Sequence, residues 1–555
     1  MAWYEEAIFY HIYPLGLTGA PKQNEYKIPV PRLKELEEWI VHIKKIGCNA
    51  IYIGPLFQSV GHGYETTDYK LLDSRLGENK DLREFVLKCH KEGIKVILDG
   101  VFNHTGRDFF AFQDIKNNRE NSSYKDWYCN VNFYGNTEYN DGFSYENWGG
   151  YNLLVKLNQK NPQVKEYIAD VIRFWVKEFD IDGIRLDAAD VLDFSYMQML
   201  RQVAEEVKPD FWLMGEVIHG DYNKWANEGT LHSVTNYQLH KALYSGHNDH
   251  NYFEIAHTVK RLNDMFKNGK VKLYNFVDNH DVERIYTKLQ NKNHFVPVHL
   301  LLYTLPGIPS IYYGSEFGIE GRKERSSDDS LRPRLELKDF PKDNGFVKLV
   351  TALGQLRQKY KALSYGSFEE LYLTNRQYGF VRSWQEEHLY ITVNNDENET
   401  QFSIPVKKQG VYRGLLSGEE RTEEGGRLFV SLPPSQGEVW IALCEKERKE
   451  EEISFKEKVG FFEVKQEEAI LKKEEKEQKP VTIAKELLME SKNEEKKTEW
   501  VEIDRSKSYE EMTVEELQAV IYEKMKKNGP VTERMKQDIV ENVYHNSLVN
   551  WAKSF

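Results

Sequence analysis

Cysteine is scarce in this chain: Cys48, Cys89, Cys129 and Cys444 are the only four among 555 residues, with neither a CxxC pair nor regular spacing. That pattern argues against a disulfide framework and predicts packed, free thiols in a reducing compartment. Positive charge is not in excess either, with 75 Lys and Arg against 88 Asp and Glu and a net charge of -13. A nucleic-acid footprint and an anionic membrane surface are both disfavoured as partners. No apolar run reaches the roughly 18 residues that span a bilayer. The N-terminus passes into a strand signal with no basic segment leading an apolar core, so no signal peptide is read and a cytoplasmic location is expected. No Gly-rich phosphate turn follows the first strand signal, which weakens the case for a doubly wound open sheet.

What is present is alternation. Eight short apolar runs, Ala7–Pro14, Cys48–Leu56, Lys95–Asn103, Ile181–Ala189, Phe211–Val217, His232–Tyr237, Leu273–Asp281 and Ile308–Glu316, are separated by stretches of helical period such as Leu33–Ile46, Asp81–Glu92, Val164–Glu178 and Tyr196–Val207. Eight strands alternating with helices predict a parallel (β/α)8 TIM barrel over residues 1–345. The connection from about 104 to 150 is long, rich in aromatic and turn residues and without a clear helix period. It is read as an irregular subdomain inserted after the third strand, over the mouth of the barrel. Residues 346–443 read as a connecting helix, Val347–Tyr360, and an antiparallel β-sandwich. Residues 444–508 form a Lys/Glu-rich linker and 509–555 a helical hairpin, opened by the capping box Thr513-Val-Glu-Glu516. The hairpin is a candidate for self-association or for holding a protein partner. Aromatic residues make up 13% of the chain, a composition that suits both core and clefts stacking on ring-shaped ligands.

The segment Phe179-Asp-Ile-Asp-Gly-Ile-Arg-Leu-Asp-Ala-Ala-Asp190 places Arg185 and Asp187 two apart on a strand, so their side chains leave on the same side. Other strands end in the same manner: Asp99-Gly-Val-Phe-Asn-His104, Gly215-Glu-Val217 and Phe276-Val-Asp-Asn-His-Asp281. One acid or imidazole at a strand end is ordinary structure. Several aimed at the C-terminal mouth of one barrel are what an active site requires.

These segments, with Gly63-Tyr-Glu-Thr-Thr-Asp-Tyr69 and Gly307-Ile-Pro-Ser-Ile-Tyr-Tyr-Gly314 in the same order, resemble the α-amylase family of glycoside hydrolases over residues 1 to about 443. Leu153-Leu-Val-Lys-Leu-Asn158 is similar to the motif that marks its oligo-1,6-glucosidase and neopullulanase side. The resemblance implies Asp187 as nucleophile, Glu216 as general acid and base, and Asp281 as stabiliser of the transition state. It also implies that Arg185 keeps Asp187 ionised, that His104 and His280 hydrogen-bond the sugar, that Tyr64 stacks beneath it, and that Asp328 and Arg332 grip the next sugar. Asn103 matches a calcium ligand of secreted amylases, but Val191 stands where many place a histidine whose carbonyl helps bind the ion. No cofactor is expected to be required, and Asn103 is the one calcium candidate. Asp190 stands where many use a lysine or asparagine near the aglycone subsites, and the first strand signal begins at Ala7, with no β-domain of the neopullulanase dimer type before it. The implied activity is retaining hydrolysis of α-1,4 links in maltodextrins or starch fragments. The alternatives are a transglycosylase or glucosyl isomerase with the same residues, and a non-catalytic binding barrel.

Overall fold

The computed structural model describes residues 2–266, 271–325, 327–341, 343–443, 507–509 and 512–528, with 539, 548, 552 and 553. The chain divides into two units, Met1–Val464 and Lys465–Phe555. All eight apolar runs contain a strand: β1 (Phe9–Ile12), β2 (Ala50–Ile53), β3 (Lys95–Gly100), β4 (Gly183–Leu186), β5 (Trp212–Gly215), β6 (Ser233–Val234), β7 (Tyr274–Phe276) and β8 (Ile308–Tyr312). They pair in parallel in the order β6-β5-β4-β3-β2-β1-β8-β7, and a parallel bridge from Thr235 to Tyr274 joins the two ends into a barrel. The bottom of the lumen is filled by aromatic and branched side chains, with Trp212 stacked on Phe9 at 5.1 Å.

The helices outside follow their sequence signals closely. Pro162–Phe179 starts with Asn161 accepting from the Gln163 N–H, has Pro162 at its first turn and stops where Asp180 turns left-handed. Its Ile168, Ile172 and Trp175 are buried against the barrel, each contributing about 1.5–3 kcal/mol. One helix of the expected alternation is missing, because β5 and β6 are joined with only a single 3-10 turn, Tyr222–Lys224.

The start of β4 is pinned by a buried acid. Asp182, 1% exposed, accepts from the Val96 N–H at 3.0 Å, and its carboxylate lies 2.7 Å from His90 Nε2 and 2.9 Å from both Lys95 Nζ and Lys208 Nζ. Burial alone would raise its pKa, but His90, Val96, Lys95 and Lys208 together hold it well below the usual carboxylate range.

The insertion differs from its expectation in one respect. It contains a regular helix, Phe110–Asn118, burying Ala111, Phe112 and Ile115. The unbroken run Phe109-Phe-Ala-Phe112 hides the helical period at its start. The rest is a three-stranded antiparallel sheet of His104–Thr105, Tyr151–Lys156 and Asn147–Trp148. A short hairpin, Phe57–Ser59 with Thr66–Leu72, which the apolar pattern did not announce, carries the loop after β2.

Helix Gly345–Lys359 leads into a six-stranded antiparallel sheet and a two-stranded one, sharing a core of Val381, Tyr390, Phe402, Leu428 and Trp440. The strands are Ser367–Leu373, Gln377–Trp384, Glu387–Asn394, Thr400–Pro405, Val411–Gly414, Glu420–Thr422, Arg427–Leu432 and Gln436–Ala442, as the expected antiparallel sandwich requires. This β domain is fastened to the barrel at the C-terminus of the fully buried helix Phe295–Thr304. Arg357 donates to the carbonyls of Tyr303, at 2.7 Å, and of Gly307. Arg382, from the sheet, donates to Thr304 O at 2.6 Å and Gly366 O at 3.0 Å. Both arginines are 2% exposed. The negative end of the helix and its free carbonyls are what make such burial tolerable.

In the second unit, the Thr513 N–H donates to Glu516 Oε2 at 2.7 Å and the Glu516 N–H to Thr513 Oγ1 at 3.2 Å, the reciprocal capping box that opens helix Val514–Asn528. Leu517, Val520 and Ile521 share an apolar cluster with Ile539, Leu548 and Ala552. The linker at 444–506 and the expected second helix from Thr532 lie outside the described residues, apart from single positions.

Candidate active site

Side-chain alternation along β4 sends Ile184 out beneath the helices and Arg185 into the barrel. The guanidinium is 3% exposed. Its Nη1 lies 2.9 Å from both Asp99 Oδ1 and Asp187 Oδ1, and its Nη2 lies 2.9 Å from Glu216 Oε2. One positive charge therefore faces three carboxylates. Glu216, just beyond β5, also accepts from the Ala188 N–H at 3.2 Å and from Tyr237 Oη at 3.3 Å. Ala188 reaches it by adopting a left-handed conformation (φ 47°, ψ 43°), a strained choice for a residue with a Cβ, directly after Asp187.

Beyond β7, Asp281 has one oxygen 2.9 Å from His280 Nε2 and the other 2.9 Å from Arg332 Nη2. Arg332 also donates to Asp328 Oδ2 at 3.2 Å and to the His280 carbonyl at 3.0 Å. Tyr64 joins the two groups, since its hydroxyl meets His280 Nε2 and lies 3.3 Å from Asp99 Oδ2, and its ring stacks on His280 at 5.8 Å. The Tyr64 carbonyl in turn lies 3.2 Å from His104 Nε2. Asp187, Glu216, Asp281, Tyr64, His104, Arg185, His280, Asp328 and Arg332 thus form one connected constellation at the C-terminal mouth of the barrel.

The electrostatics split the acids. Burial pushes the Asp187 carboxyl up; Arg185 opposes this, and Glu216, Asp99 and Asp281 reinforce it, leaving it well above its usual value. Arg185 acts in the expected direction, favouring the ionised form that a nucleophile needs, but, divided among three acids, it does not by itself offset burial. Burial would raise Asp281 as well, but His280, Arg332 and Arg185 overcome it and hold that carboxyl well below the usual range. Burial lowers His104 to about 3, so its ring is neutral. Asp190, beside the mouth, is raised by burial and then by Glu216.

Asn103, the calcium candidate, is held between two protein partners. Its Oδ1 accepts from Gln159 Nε2 at 2.9 Å, and its Nδ2 is 3.2 Å from His104 Nδ1. Both ends meet a protein partner, and the carbonyl oxygen keeps a second lone pair. Among the described residues no group of three or more His, Cys, Asp and Glu side chains could hold a metal ion.

Sequence reasoning missed several members of the site. Asp99 lies opposite Arg185 in the β3–β4 register, a relation that a single strand does not display. Tyr237, Lys323, whose Nζ donates to the Asp281 carbonyl at 3.0 Å, and Trp148, whose ring lies 5.9 Å from His104, come from connections carrying no strand-end signature.

The family model "Alpha amylase, catalytic domain" matches residues 32–348. The chain is 31% identical over 456 residues to a cyclomaltodextrinase of Thermoanaerobacter pseudethanolicus, spanning 77% of this chain and 76% of that protein. It is 30% identical over 462 residues to neopullulanase 2 of Thermoactinomyces vulgaris, spanning 78% and 77%. The native form of a Nostoc punctiforme debranching enzyme superposes with a TM-score of 0.70 at 28% identity, covering 79% of this chain and 99% of that one. The constellation at the barrel mouth and these likenesses agree: the chain belongs to the alpha-amylase family.

Proposed function

We propose that this enzyme hydrolyses α-1,4-glucosidic bonds of maltodextrins and starch fragments with retention of configuration. The observation that carries the reading is the bridging of Asp187 and Glu216 by the two arms of Arg185. Two carboxyl groups on one guanidinium favour the about 5–5.5 Å spacing of retaining glycosidases over the about 6.5–9.5 Å that leaves room for water in inverting ones.

In this mechanism Asp187, in the carboxylate form that its contact with Arg185 favours, attacks the anomeric carbon while Glu216 gives its proton to the leaving oxygen. Glu216 then takes a proton from water, which attacks the glycosyl-enzyme from the same face. Asp281, kept ionised by His280 and Arg332, sets negative charge beside the oxocarbenium-like transition state. Tyr64 and His104 receive the sugar at the cleavage point, and Asp328 with Arg332 the sugar beyond it. No step needs a metal. A cytoplasmic setting is supported by the free thiols Cys48, Cys89 and Cys129; no described helix is long and apolar enough to cross a membrane.

The test is a time course on maltotriose, maltoheptaose, β-cyclodextrin and pullulan, with products resolved by size and anomer, for wild type and Glu216→Gln. Short α-anomeric products and a rate lowered about 10²–10⁴-fold in the variant are expected. Products longer than the substrate, or an inert wild type, would overturn the reading.

A further inference from the structure

We propose that Gln159 is a positioning residue that fixes which ring nitrogen of His104 carries the proton. It acts through a one-way chain of hydrogen bonds that starts at the Asp193 N–H and ends at the Tyr64 carbonyl.

The Asp193 N–H donates to Gln159 Oε1 at 2.6 Å. A backbone N–H only donates, so this end of the Gln159 amide must be the oxygen. Its Nε2 then faces Asn103, which must present Oδ1, and does so at 2.9 Å. Asn103 is left with Nδ2, a donor, 3.2 Å from His104 Nδ1. That nitrogen must therefore be bare, with the proton on Nε2. At the far end, Nε2 lies 3.2 Å from the Tyr64 carbonyl, which only accepts. The orientation of an amide or an imidazole is ordinarily a matter of assignment. Here both ends are backbone groups whose roles cannot change, and reversing any one member would set like against like. Asn103, His104 and Gln159 are all buried, at 0%, 1% and 6% exposure, so water does not relieve such a clash.

The chain links separate parts of the mouth. Asn103 and His104 follow β3. Gln159 precedes helix Pro162–Phe179. Asp193 closes the loop that leaves β4 after Asp187, and its carboxylate also caps helix Phe194–Val207. Gln159 joins the two sides of this junction through both ends of its amide. Its consequence at the sugar rests on the proposed role of His104: a hydroxyl oxygen arriving at Nε2 can only accept, sharing that N–H with the Tyr64 carbonyl.

Two variants reverse the chain from different sides. Gln159→Glu keeps an acceptor for the Asp193 N–H but sets a carboxylate oxygen against Asn103 Oδ1. The Asn103 amide then turns over, and its oxygen draws the proton to His104 Nδ1. Asn103→Asp leaves the bond from Gln159 in place and offers His104 Nδ1 an acceptor directly. In both, Nε2 is left bare opposite the Tyr64 carbonyl and the sugar. The measurement is ¹⁵N NMR of the full-length chain labelled at histidine, with the His104 signals identified by their loss in His104→Gln. Wild type is expected to show a pyridine-type Nδ1 and a protonated Nε2, and both variants the reverse. In the same variants kcat/KM on maltoheptaose is expected to fall about tenfold to a hundredfold while melting stays cooperative. The proposal is overturned if wild-type His104 carries its proton on Nδ1, or if both variants lower thermal stability while Nε2 stays protonated. The spectrum reads the tautomer whether or not maltodextrins are the substrate, so failure of the functional reading is scored separately.

Discussion

β4 carries an aspartate just outside each end, and the two live in opposite conditions. Asp182, at the bottom of the barrel, is surrounded by His90, Lys95 and Lys208 and is held strongly ionised. Asp187, at the mouth, shares one guanidinium with Asp99 and Glu216 and is pushed the other way, first by burial. The same residue type on the same strand therefore supports the fold at one end and opposes it at the other. Charge that is matched stabilises; charge left in excess is held in place by the rest of the barrel and remains available for chemistry.

This contrast breaks most visibly in activity. Asp187→Asn is expected to lower kcat on maltoheptaose by at least about 10⁴-fold, whereas Asp182→Asn leaves kcat per folded molecule near that of wild type. Stability should move in the reverse sense. Asp182→Asn takes the carboxylate from His90 and two partly exposed lysines and is expected to cost about 1–3 kcal/mol in urea unfolding. Asp187→Asn removes an excess buried charge and is expected to gain about 1–2 kcal/mol at neutral pH. If both variants destabilise equally, the contrast fails.

The pH dependence sharpens it further. The Asp182 carboxyl lies below its unfolded value of about 3.9, so its contribution is present above that pH and lost as the pH falls through the folded value. Asp187 is raised, so its contribution is present at low pH and lost as the pH rises through its folded value. Thermal melts between pH 3 and neutrality should therefore lose part of their acid slope in Asp182→Asn, and part of their decline toward neutral pH in Asp187→Asn. The smallest effect expected is none at all: with Asn103 held by Gln159 and His104, exhaustive chelation should leave wild-type rate and melting temperature unchanged. A drop restored by calcium would refute the assignment.

The barrel was legible because each strand run is short and apolar, and four of them run into acids or imidazoles that a buried strand could not hold. Asp187, Glu216, Asp281 and their partners were legible for the same reason. What escaped depends on relations between strands. Asp99 becomes part of the site only through its register with Arg185, and the ionisation of Asp187 depends on Glu216 and Asp281 arriving from other strands. Helix Phe110–Asn118 escaped because consecutive aromatics mask its period, and the missing helix between β5 and β6 because a 17-residue connection (216–232) leaves room for one that its sequence does not form. Gln159 carries no motif at all; only the backbone groups at either end of its chain give it meaning.

The two arginines at the end of helix Phe295–Thr304 bear on how this molecule comes apart. Arg382 belongs to the β domain, yet the carbonyl it satisfies at Thr304 belongs to the barrel. Peeling the sheet away would leave a guanidinium and a helix terminus exposed to each other's absence, so neither part has a favourable half-unfolded state. Heating should therefore give a single calorimetric transition for residues 2–443. The boundary near residue 345, plain in the sequence as a change of pattern, marks where the architecture changes and not where the cooperativity ends.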